Sequence, residues 1–269
     1  MTNKHQVLFL SHGGGPMPLL GDEGHAEMVA CLQKIAKNLK KPSAILLISA
    51  HWEESIATIT AGINPPLIYD YFGFPKESYE ITYPCSGEPL LANQVHDLLE
   101  NAGISAELDQ NRGFDHGLFV PLKIMFSNAD IPCVQLSLNN NLSAVEHLDM
   151  GRALYDLDYS NLLVIGSGFS FHNMKEFFAP ETSESRAKNE YFEAWLLETC
   201  SSTDIKEEER EQRLIQWEKA PYARFCHPRE EHLLPLHVCY GLAQTSSSEY
   251  FELQILNKKS SMYLWSTEC

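Results

Sequence analysis

Short, almost wholly apolar runs recur along this chain, separated by longer stretches whose apolar positions return every three to four residues. Residues 7–10, 45–49, 132–138 and 162–165 are runs of the first kind. They lack the alternation of a strand with one wet face, so they predict strands buried on both sides. Residues 27–39, 90–102, 116–126 and 144–157 are of the second kind and predict amphipathic helices. Strand and helix alternating at this spacing predict an α/β fold: a central, mostly parallel sheet flanked by helices.

Two stretches depart from the alternation. Residues 62–89 hold Pro65, Pro66, Pro75, Pro84 and Pro89 among many aromatics, which predicts an ordered loop or short-strand excursion. Residues 183–219 are charged and helix-prone, and Glu207-Glu208-Glu209-Arg210-Glu211 reads as a solvated helix face. With no internal repeat, low-complexity tract or linker, residues 1–269 are expected to form one domain.

The histidines fall where such a sheet would gather them. His12 follows the first predicted strand, His51 the second, and His172 comes soon after the run at 162–165. In a parallel sheet all carboxyl ends lie on one edge, where ligands bind, so three distant imidazoles are predicted to meet there. Converging imidazoles suit Zn(II) or Fe(II). Asp115-His116-Gly117 opens a predicted helix, with Asp115 either capping that helix or orienting His116 as a proton donor or acceptor. His227, His232 and His237 are spaced five apart, so one regular helix cannot aim all three at one point. The first turn, at Glu231 or His232, is the position expected to face a metal. His5, His25, His96 and His147 read as surface residues.

Several function classes are excluded. His12-Gly13-Gly14-Gly15 resembles a lipase oxyanion loop, but no Gly-x-Ser-x-Gly elbow accompanies it, and no dinucleotide or phosphate-binding glycine motif is present. The glycines are instead expected to let substrate or backbone approach a metal closely. A net charge of −16 repels nucleic-acid phosphates and anionic lipid. No apolar run approaches the roughly 20 residues of a membrane span, and residues 7–10 are too few for a signal-peptide core. Seven cysteines without a CxxC pair predict reduced thiols and a cytoplasmic location.

The chemistry-bearing residues lie in six blocks: Ser11-His12-Gly13-Gly14-Gly15-Pro16, Ser49-Ala50-His51-Trp52-Glu53, Tyr69-Asp70-Tyr71-Phe72-Gly73-Phe74-Pro75, Gly113-Phe114-Asp115-His116-Gly117, Gly166-Ser167-Gly168 through His172-Asn173, and Arg229-Glu230-Glu231-His232-Leu233-Leu234-Pro235-Leu236. In this order, and over nearly the whole chain, they resemble the class III extradiol ring-cleavage dioxygenases of the 4,5-DOPA-extradiol-dioxygenase-like branch. The resemblance implies one divalent metal per chain, Fe(II) for activity or Zn(II), held by His12, His51 and His232. It places His172 at the metal too and makes His116 the catalytic acid/base, while His172 is an alternative catalytic group that stabilises the oxygen species. The implied reaction inserts O₂ into a small catechol-type ring beside its hydroxyls and opens it.

Protocatechuate-cleaving relatives use glutamate as the third ligand, whereas here Glu230 and Glu231 precede a histidine. That departure leaves the third ligand and the metal open. Two other readings stand beside it: a non-oxygenase metalloenzyme such as a tetrapyrrole chelatase or zinc hydrolase, and a binding relative that has lost catalysis. Retention of both His116 and His172 speaks against the last. Aromatic residues within 69–83, with Trp52, either wall the substrate pocket or pack the core.

Overall fold

The computed structural model describes residues 5–266. Its strands are β1 (Gln6–Ser11), β2 (Ala44–Glu54), β3 (Ala57–Thr60), β4 (Ala106–Asp109), β5 (Cys133–Asn139), β6 (Leu162–Gly168), β7 (Glu249–Ile255) and β8 (Lys258–Trp265). They form one sheet in the order β4-β3-β5-β2-β6-β1-β8-β7. The four apolar runs are the central strands β5, β2, β6 and β1, all parallel to one another. Alternate residues serve opposite faces: Val7 and Phe9 enter one core cluster, Leu8 and Leu10 the other. This two-sided burial is why the central runs carry no polar alternation.

Helices cover both faces. They are α1 (Ala26–Asn38), α2 (Pro89–Asn101), α3 (His116–Met125), α4 (Ala144–Ala153), α5 (Met174–Phe177), α6 (Ser183–Ser201), α7 (Glu207–Ile215), α8 (Ala223–Cys226) and α9 (Leu234–Ala243). Apolar residues of α2, α4 and α9 fill one cluster, and those of α1 and α3 fill the other. The predicted α/β architecture and its four main helices are therefore present, with ends shifted by a residue or a few. Among the described residues no helix is long and apolar enough to cross a membrane. Six free cysteines are described, five of them buried.

Four strands are absent from the pattern reading. The edge strand β4 and its neighbour β3 have only four residues each and are half polar. The β7–β8 hairpin turns through Leu256 and Asn257 at φ 49° and 63°. Both are left-handed, as in a type I′ turn, but the leucine hides the usual Asn-Gly signal. Residues 62–89 form the expected excursion, tied down by isolated bridges Leu67–Phe114 and Gly87–Cys133. The acidic run at 207–211 is not wholly solvated. Arg210 within it is fully buried, donating to Thr199 O, Ser202 O and Ile205 O across the α6–α7 corner.

Three histidines expected on the surface are buried: His5, His25 and His147. His147 Nδ1–H donates to Ser143 O at 2.7 Å while its Nε2 accepts from Asn139 N–H at 3.2 Å. The ring thus ties the start of α4 to the end of β5 across the intervening turn.

Helix α9 lies close on the sheet because β6 has glycines beneath it. A Cβ on Gly168 would sit 2.1 Å from His232 O, and one on Gly166 would sit 2.6 Å from Pro235 O. Phe169 N–H donates to that same His232 carbonyl at 2.9 Å, fixing the turn before α9 against the end of β6.

Gly168→Ala should destabilise the protein by about 1–3 kcal/mol through overpacking against backbone, read by chemical denaturation. Burial also pulls His147 down to about 4 and His227 to about 3, whereas in the unfolded chain both return to about 6.5. Between those values the unfolded chain binds protons that the native fold excludes, so stability is lost as pH falls below about 6.5. His147→Asn should flatten that slope by up to about 1.4 kcal/mol per pH unit between pH 4.5 and 6. An unchanged slope would mean that the native ring is already protonated there.

Candidate metal centre

Five histidines gather at the carboxyl edge of the sheet. His12 directly follows β1, His116 opens α3, His172 lies four residues past β6, and His232 sits in the turn before α9. His51 differs from expectation in lying inside β2, which runs on to Glu54. It falls in the stretch between Ile48 and Glu53 where pairing with β5 shifts register, an irregularity that re-aims side chains at a sheet end.

The rings of His12, His51 and His232 stand 4.7, 5.0 and 5.3 Å apart, centre to centre. Rings holding one ion at about 2.0–2.1 Å stand roughly 5 Å apart, so this triangle has the right size. His51 Nε2 lies 2.9 Å from His12 Nε2, the separation of two ligands at about a right angle on one ion. His116 is also close, its ring 3.9 Å from that of His51, and His12, His51 and His116 all offer nitrogens within 4.8 Å of one another. His172, Glu231 and His232 form a second group of the same kind.

Each inner imidazole has an oxygen behind its Nδ1. Ser167 Oγ lies 3.1 Å from His12 Nδ1 and donates its own hydrogen to Gly117 O at 2.5 Å, so it must accept from His12 Nδ1–H. Asp70 Oδ1 accepts from His116 Nδ1–H at 2.8 Å, and Glu231 Oε1 from His232 Nδ1–H at 3.0 Å. Asp70 Oδ2 stands 3.6 Å from His51 Nδ1. With Nδ1 occupied, Nε2 keeps its lone pair for the shared centre, the usual arrangement behind metal-binding histidines.

Electrostatics enforce the same state. Burial above all, and then repulsion among the imidazoles, holds His12, His51 and His232 well below the usual histidine range. They are neutral at pH 7 with free lone pairs. Burial opposes the charge on Asp70, but hydrogen bonds from the side chain and backbone of His116 outweigh it and bring the carboxyl to about 2. Burial likewise opposes the Glu231 charge, and the hydrogen bond from His172 with nearby Arg229 outweighs it. Neutral donors converging beside fixed carboxylates fit a divalent cation.

Asp115 does neither of the things expected of it. Its side chain makes no cap hydrogen bond to α3 and does not touch the His116 ring. It points under β2, accepting from Ser49 Oγ at 2.8 Å, from Gln135 Nε2 and from Arg112 Nη2 at 3.3 Å. Ser49 Oγ in turn accepts from His51 N–H at 3.2 Å, so this buried cluster steadies the His51 backbone. Asp70, 46 residues away in sequence, orients His116 instead and also accepts its backbone N–H at 3.0 Å. It lies in a block that reads only as an aromatic wall. His227 and His237 take no part, their Nε2 atoms facing Ser170 O and Leu214 O.

The histidines floor a cleft of about 390 Å³. Tyr71, Phe72 and Phe74 line it from the proline-rich excursion, and Phe169, Phe177 and Phe178 from the segment after β6. Of the other aromatics considered for this wall, Tyr69, Tyr79 and Tyr83 pack into the core, and Trp52 is buried beneath Arg112. Gly13, Gly14 and Gly15 form one edge. Gly13 has φ +85°, and His25, capped by Asp22 at 2.6 Å, accepts Gly14 N–H at 3.0 Å.

Comparison with known proteins agrees with this geometry. Residues 6–264 match the family model of the catalytic LigB subunit of aromatic ring-opening dioxygenase. The chain is 41% identical over 251 residues to dioxygenase tasH of Hapsidospora irregularis, covering 88% of this chain and 78% of that one. It is 37% identical over 249 residues to the 4,5-DOPA dioxygenase extradiol of Beta vulgaris, covering 91% and 89%. A crystal structure of an uncharacterized protein from Escherichia coli K12 superposes with a TM-score of 0.74 at 29% identity, over 97% of this chain and 100% of that one. The chain belongs to the LigB family of aromatic ring-opening dioxygenases and is a metal-dependent, non-haem extradiol dioxygenase.

Proposed function

We propose that this enzyme opens a catechol-type ring with O₂ using one Fe(II) held by His12, His51 and His232, with His116 and His172 as its catalytic side chains. The observation that carries the reading is the set of inward Nε2 lone pairs, each backed by an oxygen on Nδ1. His232 is preferred to His116 as third ligand because its ring completes the near-equilateral triangle, whereas His116 packs at 3.9 Å on His51. His172 lies flat on His232, centroids 3.3 Å apart and planes 11° apart. In-plane lone pairs of parallel rings do not converge on one ion, so His172 is assigned to the substrate and oxygen side rather than to ligation. A binding relative that has lost catalysis does not account for five histidines converging on one cleft.

Bound there, Fe(II) supplies the one-electron chemistry that lets triplet O₂ react with a closed-shell ring. The protein does the rest. His116, locked by Asp70 with Nδ1 protonated, takes a proton from a catechol hydroxyl at Nε2 and returns it to the opening product. His172, half-buried at the cleft wall with Nδ1 3.5 Å from Glu231, donates to developing negative charge on oxygen. Tyr71 and Phe74, packed edge to face on each other, form an aromatic wall of the cleft that excludes water beside the ring. Free buried thiols support a reducing compartment, and we place the enzyme in the cytoplasm.

Protein loaded anaerobically with Fe(II) should consume O₂ with catechols and yield a yellow ring-opened semialdehyde. Absence of uptake across catechols at full metal occupancy would overturn the reading. His12→Ala and His51→Ala should lose the metal by elemental analysis. His116→Ala should retain it and turn over slower by a factor on the order of 10²–10⁴, with Asp70→Asn slowed in the same direction. Equal metal loss in all of them would move His116 into the ligand set.

A further inference from the structure

Behind the Gly13–Gly15 loop, outside the five histidines of the cleft, lies another buried histidine that the reaction does not use. His25 closes the short turn before α1 and is fully buried. Its Nδ1–H donates to Asp22 Oδ2 at 2.6 Å, which leaves the lone pair on Nε2, and Nε2 accepts Gly14 N–H at 3.0 Å. The turn that carries the ring is itself tied down. His25 N–H donates to Asp22 O at 3.1 Å, and Gly24 O accepts Leu256 N–H at 2.9 Å from the β7–β8 turn.

The loop held by His25 joins His12 to the aromatic wall. A Cβ on Gly13 would meet His25 Cδ2 at 3.0 Å and Pro18 Cγ at 2.6 Å, so this backbone lies directly on the imidazole. On the other side, a Cβ on Gly15 would stand 3.4 Å from the Phe74 ring and 3.7 Å from Tyr71 Cβ. The three glycines therefore fill the space between His25 and the wall, and all three border the cleft. Gly13 and Gly15 have φ +85° and +56°, and glycine backbone restrains itself little. The bond from Gly14 to His25 fixes this stretch to a firm support.

We propose that His25 is a positioning residue: through Gly14 N–H it fixes the Gly13–Gly15 edge of the cleft, and so the place of the substrate ring between His12 and Phe74. This rests on the dioxygenase reading and adds to it a residue that does not line the cleft. Burial holds the His25 ring below the usual histidine range, against the hydrogen bond and charge of Asp22, the only charged group acting on it among the described residues. Pro18, Met17 and Met28, which meet the same glycines, and Leu256 on Gly24 carry no charge. A neutral ring accepts from Gly14. A proton on Nε2 removes that lone pair and sets two N–H groups face to face, so the latch opens as pH falls.

The test compares wild type with His25→Ala, His25→Gln and Asp22→Asn, each checked for equal metal content. Exchange of the Gly14 amide is followed by NMR on the Zn(II)-loaded protein, Kd for catechol by calorimetry on the same sample, and kcat and KM from O₂ uptake on the Fe(II)-loaded enzyme. His25→Ala should speed Gly14 exchange and raise both Kd and KM about tenfold, as loss of one buried hydrogen bond gives. His25→Gln, whose amide oxygen can accept from Gly14 but cannot titrate, should restore slow exchange and bring Kd and KM back to within about threefold of wild type. Relative to His25→Gln, wild type should lose affinity as pH falls below about 6.5. Asp22→Asn removes the charge that favours the imidazolium and should move that loss to lower pH, the opposite of what general damage to the turn would do. Unchanged Gly14 exchange in His25→Ala overturns the proposal, and so does faster exchange with wild-type Kd and KM. A wild-type enzyme that turns over no catechol ends the dioxygenase reading, while Gly14 exchange and Kd still decide the role of His25.

Discussion

Imidazoles packed within about 5 Å of one another in a buried site repel when protonated and leave facing lone pairs when neutral, and the rest of this structure depends on managing that constraint. Neutrality is enforced by burial, and direction by an oxygen behind each Nδ1. Ser167, Asp70 and Glu231 each come from a different part of the chain. A cation between the Nε2 atoms satisfies what the protein alone leaves facing inward.

That arrangement needs the sheet edge and α9 to meet within van der Waals distance. Gly166 and Gly168 permit the close approach, and the Phe169–His232 backbone hydrogen bond holds it. The cluster of Ser49, Gln135, Arg112 and Asp115 performs the matching task below His51, where β2 bends out of register. Asp115 is fully buried, and desolvation raises its carboxyl above the ordinary range even with three donors on it. A carboxylate next to His116 in sequence thus supports the scaffold, while the histidine's own partner, Asp70, comes from a loop.

Global and local charge act separately here. The chain is strongly acidic, yet its reaction cleft is walled by aromatic and thioether side chains, and the carboxylates nearest the histidines are consumed in orienting them. The histidine floor and the aromatic walls of the cleft come from different segments of the chain.

The sequence by itself determined the parallel core and the edge on which function would lie. Runs buried on both faces have no alternation to disguise them, and a residue following such a strand has one place to go. His12 directly follows such a strand and His172 comes four residues after another, so their place at that edge was legible for that reason, whereas His116 and His232 stand at helix starts. Other features were beyond it. The hairpin β7–β8 closes through a leucine at positive φ, β3 and β4 are too short to show a period, and His147 and His25 look like surface residues until their partners arrive. Which carboxylate orients which imidazole was decided only in three dimensions. Asp115 is one residue from His116 and serves His51, whereas Asp70 is 46 residues away and serves His116. Hydrogen bonds depend on direction and distance between side chains, and separation along the chain carries neither.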